Sequence, residues 1–151
     1  WSRDDVVLQS CCQAYELLYW DGASGKQVLR DERDRSWQTW SCLMGWPVMG
    51  IWPKGYDNTD INAVDRSESV EVSPGVQGGY VVAADDDGQV LLFNHPCVAK
   101  HAPHGRFFGH SSHVTGVRFL RHSHQCVSIG GHDRAVFLWN LVPKLPGLAR
   151  E

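Results

Sequence analysis

The chain has 151 residues, of which 42% are hydrophobic and 21% charged, and its formal net charge is −3. That length suits one ordinary domain, and charges of mixed sign lack the polybasic footprint of a nucleic-acid or anionic-membrane binder. No apolar run approaches the roughly 18 residues that a membrane-spanning helix needs, so neither nucleic acid nor a membrane is expected as a partner.

Strand-like runs rich in Val, Leu, Tyr, Phe and Trp recur between turn signals, without a sustained helical period. Residues 5–13 and 16–20 read as a strand pair, closed by the turn Asp21-Gly22-Ala23-Ser24-Gly25 and followed by an aromatic strand at 37–46. Runs at 61–66, 80–84 and 89–93 form the next set, with Asp85-Asp86-Asp87-Gly88 as the tight turn between its last two. Between them, 67–79 reads as a solvated Ser/Gly/Glu-containing loop. A strand at 104–108 leads into Gly109-His110, and strands at 114–120, 126–129 and 135–139 complete the pattern.

Residues 109–140 are the most informative stretch. Gly109-His110 opens it, two strands follow, and after Gly131-His132-Asp133 a last strand ends on Trp139-Asn140. This is the order of a WD-type β-propeller repeat. In such a repeat His110, Ser128, Asp133 and Trp139 can form one buried relay, each group donating to or accepting from the next. The ends of the third strands, Trp20, Phe93 and Trp139, expose the repeat: Phe93 and Trp139 stand 46 residues apart, close to the roughly 40–45 of a WD blade. Trp20 and Phe93 are 73 apart, an excess of 27. Aligning Ile61-Asn62-Ala63-Val64 with Val114-Thr115-Gly116-Val117 places 20 of the extra residues before the inner strand and 7 in the 67–79 loop.

The expected fold is therefore all-β, a WD40-type propeller fragment of about three consecutive, partly incomplete blades. A closed propeller needs about four to eight four-stranded blades, and this chain starts in mid-pattern at Trp1 without an initiator Met. The remaining blades are expected upstream. The organisation reads as a partial blade with its outer strand at 1–46, a Trp/Pro-rich connection at 47–60, a blade at 61–108, a last blade at 109–142 and a tail at 143–151.

With those elements in place, the chain resembles the echinoderm microtubule-associated protein-like family of WD proteins. The resemblance is carried by Tyr15-Glu16-Leu17-Leu18-Tyr19-Trp20-Asp21, Trp37-Gln38-Thr39-Trp40-Ser41-Cys42, Gly50-Ile51-Trp52-Pro53 and Asp60-Ile61-Asn62-Ala63-Val64. It continues through Asp85-Asp86-Asp87-Gly88-Gln89-Val90, Phe93-Asn94-His95-Pro96-Cys97 and Gly109-His110-Ser111-Ser112-His113-Val114. The resemblance implies a tubulin- or microtubule-associated protein of the cytoplasmic cytoskeleton, extending to the ciliary axoneme. It also implies tandem propellers, this piece being the last part of the second, with an adjacent propeller upstream as a packing partner. A WD scaffold serving another complex, such as a ciliary assembly or a ubiquitin-ligase adaptor, is the alternative. The pattern also departs from a generic WD repeat. Ala14 stands where the turn Asp before Trp20 would be, Phe93 replaces a Trp, and Asp86 and Asp87 compete for the turn role in the second blade.

Chemistry-bearing clusters give no catalytic, cofactor or metal site. His122-Ser123-His124-Gln125-Cys126 has no second His/Cys pair at zinc-like spacing, and the Asp85–Gly88 turn lacks the later ligands of a calcium loop. No Gly-x-Ser-x-Gly elbow accompanies the triad-like His110, Ser128 and Asp133, so the chain reads as a non-enzyme. The five cysteines, Cys11, Cys12, Cys42, Cys97 and Cys126, suit buried thiols better than a disulfide framework. The segment from Thr39 to Asp60 is the part a generic repeat does not explain. Trp37, Trp40, Trp46 and Trp52 are expected to pack as a family-specific seal, Trp46 and Trp52 mostly buried, rather than as a free partner-binding patch. Lys54, Tyr56 and Asp57 are expected at an exposed tip as the interaction surface.

Overall fold

A computed structural model describes residues 1–142 except 13, 58, 74–75 and 122–123, so the expected tail and His122-Ser123 lie outside the described residues. Three antiparallel sheets follow one another along the chain. The first orders β1 (Val7–Cys11), β2 (Leu17–Asp21) and β3 (Gln27–Val28). The second orders β4 (Ile61–Arg66), β6 (Val76–Asp85), β7 (Gln89–His95) and β8 (His104–Phe108), with β5 (Val70–Ser73) added on β6. The third places β10 (Gln125–Gly130) between β9 (Val114–Phe119) and β11 (Val136–Asn140). This is the four-stranded meander of a propeller blade, complete in the middle. Trp20, Phe93 and Trp139 fall at matching places in β2, β7 and β11, so among the described residues the first sheet has no inner-strand counterpart and the third no outer one. No helix among the described residues is long and apolar enough to cross a membrane.

The middle sheet is buried on both sides, which is why Val81-Val82-Ala83-Ala84 is a continuous apolar run with no exposed residue. Successive side chains of a strand point to opposite faces. Val81, Ala83, Leu91 and Phe93 enter one core with Val7, Trp37, Trp40, Val48 and Ile51. Val82, Ala84 and Val90 enter a second with Val114, Val117 and Cys126. The ladder pairs Val81 with Phe93, Ala83 with Leu91 and Ala84 with Val90, so each core receives matched cross-strand pairs. Gly88 closes the β6–β7 turn at φ 78°. A Cβ there would also come within 2.9 Å of the His110 carbonyl oxygen, so the turn packs directly onto the loop that leads into the third sheet.

Two sequence expectations are corrected. Residues 37–46 form no strand: Trp37 makes only an isolated bridge to Ser2, and the outer strand of the first sheet is the two-residue β3. The aromatic side chains hold this segment by ring packing, which needs no ladder. Residues 67–79 are not a plain loop, because β5 folds back on β6 with Val70 opposite Gly78 and Ser73 opposite Val76. Its period-two Val70-Glu71-Val72-Ser73 favours a strand, a signal masked by the segment's Ser, Gly and Glu content.

Candidate interaction site

The third sheet brings the four relay residues together. Trp139 Nε1 donates to Ser128 Oγ at 2.8 Å, Ser128 Oγ meets His110 Nε2 at 2.8 Å, and His110 Nδ1 meets Asp133 Oδ2 at 2.8 Å. An indole nitrogen can only donate and an ionised carboxylate can only accept. The proton order is then Trp139 to Ser128, Ser128 to His110, and His110 Nδ1–H to Asp133. The Ala135 N–H, together with His110 and the Ser111 N–H, holds the Asp133 carboxyl below its ordinary value. Every member has its partner, and the Ser128 hydroxyl is fully buried. The arrangement braces a blade and presents no open position beside Ser128 for a reacting group.

The other two sheets carry partial or substituted versions. In the first, Trp20 Nε1 donates to Ser10 Oγ at 2.8 Å. Ser10 lies opposite Leu18, two before Trp20, just as Ser128 lies opposite Phe137, two before Trp139. The missing turn Asp at Ala14 therefore removes only half of the relay. Ser10 is a residue that sequence reasoning missed, although its ten-residue spacing to Trp20 resembles that of Ser128 to Trp139.

In the middle sheet the corresponding ladder position is Ala83, and Phe93 has nothing to donate. Neither Asp86 nor Asp87 takes the turn role there. Instead Asp85, fully buried, accepts the Gln89 N–H at 2.7 Å and the Tyr56 hydroxyl at 2.6 Å. Burial pushes the Asp85 carboxyl above 3.8 despite both donors. A raised folded value means that ionising Asp85 disfavours the fold at neutral pH, and that stability is regained as pH falls through the folded value towards 3.8. Relative to Asp85→Asn, the unmodified protein should therefore gain stability on acidification in paired thermal melts. A difference that stays constant with pH would show that the carboxyl is unperturbed.

The Trp-rich connection divides into buried anchors and an exposed remainder. Trp37 and Trp40 are buried and meet edge-to-face at 6.1 Å, and Tyr19 stacks on Trp37 at 5.9 Å. Trp40 Nε1 donates to the Cys42 carbonyl at 2.9 Å. Val48 and Ile51 are fully buried, and backbone bonds from Gly50 to Cys97 and from Cys97 to Pro47, both 2.8 Å, tie the segment to the β7–β8 loop. Gly50 is required by that approach, since a Cβ would run into the Ala99 carbonyl.

The expected burial of Trp46 does not hold: it is 45% exposed, at the start of a single 3-10 turn, Trp46–Val48. Trp52 is half-buried against the core, with its carbonyl 3.2 Å from His101 Nδ1. Pro47 follows Trp46 at once and turns the chain inward, so the buried positions go to Val48 and Ile51. Of the expected tip, Lys54 and Asp57 are exposed, but Tyr56 packs against the core to reach Asp85. The Asp57 carboxyl, held low by the Thr59 hydroxyl and N–H, caps its own loop. Asn58 lies outside the described residues.

All five cysteines are free; Cys42, Cys97 and Cys126 are buried, and burial pushes Cys97 and Cys126 up to about 11. Among the described residues no group of His, Cys, Asp or Glu is placed to hold a metal ion.

These blades, their meander order and their indole–hydroxyl contacts define a β-propeller protein of the WD type. The sequence model for "Echinoderm microtubule-associated protein second beta-propeller" matches residues 1–141. The chain belongs to the echinoderm microtubule-associated protein-like family. It is 42% identical over 145 residues to mouse (Mus musculus) "Echinoderm microtubule-associated protein-like 3", covering 94% of this chain and 15% of the relative. It is 40% identical over 144 residues to the "77 kDa echinoderm microtubule-associated protein" of Strongylocentrotus purpuratus, covering 94% of this chain and 20% of that protein. The chain thus spans a fifth or less of these curated relatives. Among solved structures, "Structure of U3-55K" is similar over 91% of this chain and 33% of that one, with TM-score 0.41 and 23% identity.

Proposed function

We propose that this chain is part of a non-catalytic propeller scaffold through which a cytoskeletal protein engages tubulin or microtubules. The carrying observation is family membership: relatives matched over 94% of this chain are named as microtubule-associated. Three features support a binding role over a chemical one. The triad-like His110, Ser128 and Asp133 are consumed by mutual hydrogen bonds. The cores between sheets are apolar and closed. The connection from Thr39 to Asp60 offers exposed Trp46, Met49, Lys54 and Asp57 beside buried anchors. On this reading Trp37, Trp40 and Ile51 seal the blade. The exposed group is the contact surface, towards tubulin or a neighbouring propeller, and the protein resides on cytoplasmic microtubules, including those of cilia.

Microtubule co-sedimentation of the natural protein that carries this segment tests the proposal. It should pellet with microtubules, and Trp46→Ala with Lys54→Ala should lower the pelleted fraction severalfold at unchanged melting temperature. A protein that stays in the supernatant at every microtubule concentration would redirect the scaffold to a different complex.

A further inference from the structure

The end of the sheets at which β4, β7 and β9 finish carries a basic groove of which the scaffold reading uses only Trp46. A cleft of about 780 Å³ is lined by Arg3, Arg66, Arg118, Arg121, His95 and His124. A second, about 260 Å³, shares Arg3, Arg66 and His95 and runs on to Trp46. The two form one path from the second and third sheets to Arg3 and the Trp-rich connection.

Its positive charge is offset internally only in part, by Asp65, which acts on both Arg66 and Arg118. Arg30, Arg33 and Arg35 already meet Glu32, Asp31 and Asp4. Among the described residues, Arg3, Arg66, Arg118 and Arg121 form no ion pair with a carboxylate. The Arg66 guanidinium donates to the Trp37 carbonyl at 2.7 Å and Arg118 to the Val64 and Val117 carbonyls, which holds both in place without cancelling their charge. Glu68 and Asp65 also line the cleft. Asp65 is mostly buried, accepts the Phe119 N–H at 2.8 Å, and is pushed above its ordinary value by burial. Burial and the neighbouring Arg3 charge act against the Arg66 cation more strongly than Asp65 supports it, so a bound anion would relieve it. His95 adds a buried Nε2 without a hydrogen-bond partner.

We infer that this groove binds an extended, carboxylate-rich peptide, its acidic side chains meeting Arg3, Arg66, Arg118 and Arg121 and an adjoining apolar side chain resting on Trp46. The lining favours a chain over a compact anion, because Arg118 and Arg121 line the first cleft, Trp46 the second, and Arg3 and Arg66 both. Guanidinium forks suit carboxylates geometrically, and an exposed indole gives an apolar anchor beside them. Carboxylate chemistry, not the identity of the protein that supplies it, defines this ligand, whether or not the peptide belongs to tubulin.

Fluorescence anisotropy with a labelled twelve-residue oligo-glutamate peptide, on the natural protein that carries this segment, tests it. Arg3→Gln with Arg121→Gln, both exposed and outside the described hydrogen-bond network, should weaken binding about five- to tenfold without moving the melting temperature. Asp65→Asn, which removes the one buried acidic group of the groove, should tighten it. Added salt should weaken binding to the unmodified protein more steeply than to the double variant. Equal affinity in the double variant, or equal binding of an oligo-glutamine peptide, would overturn the inference. Displacement by inorganic phosphate at ionic strengths where chloride does nothing would overturn the peptide assignment in favour of a compact anion.

Discussion

Trp40→Ala is expected to lower the stability of the parent protein by about 3–5 kcal/mol, the range for truncating a buried Trp. Trp40 is 3% exposed. Its ring packs edge-to-face on Trp37, its N–H is satisfied by the Cys42 carbonyl, and Gly45, at φ 116°, leaves it room. Removing the ring opens a cavity between the first and middle sheets and strands the Cys42 carbonyl. Trp46→Ala, six residues further on but at the surface, should change stability by less than about 0.5 kcal/mol. Chemical denaturation of the two variants checks the contrast. Equal losses would mean that Trp46 is covered by another part of the protein.

The second large effect is expected at the relay. Ser128→Ala leaves the Trp139 N–H and the His110 Nε2 facing each other across a gap that neither can fill, with a loss of about 1–3 kcal/mol for the buried unsatisfied groups. Ser10→Ala should be milder, because it strands only the Trp20 N–H, and Trp20 is half-buried and can turn to water. Thermal unfolding of both variants in the parent protein separates the cases. A Ser10→Ala loss as large as that of Ser128→Ala would show that the first blade is braced by a fuller network than one hydrogen bond.

The relay and most strands were legible in sequence because their signals are local. Strand-like runs between turn signals mark β4 and β8 to the residue, and turn residues mark where each strand must stop. The spacing of His110, Ser128, Asp133 and Trp139 reflects one blade's own geometry, so a single repeat contains all the information needed to read it. The family followed from rarer strings, such as Trp37-Gln38-Thr39-Trp40 and Gly50-Ile51-Trp52-Pro53, whose order is itself a local property.

Which tryptophan is covered could not be read that way. Trp40 and Trp46 look alike in a row of aromatics and prolines, and only the neighbouring sheet and the β7–β8 loop decide that Trp40, Val48 and Ile51 turn inward while Trp46 turns out. Tyr56 and Asp85, 29 residues apart, gave no mutual signal, since their bond depends on the connection folding back over the middle sheet. The same holds for Arg3, Arg66, Arg118 and Arg121. An overall charge of −3 conceals their convergence. Composition sums charge over the whole chain, whereas a binding groove depends on where neighbouring sheets and their connections bring their ends together, and that is set by packing between blades.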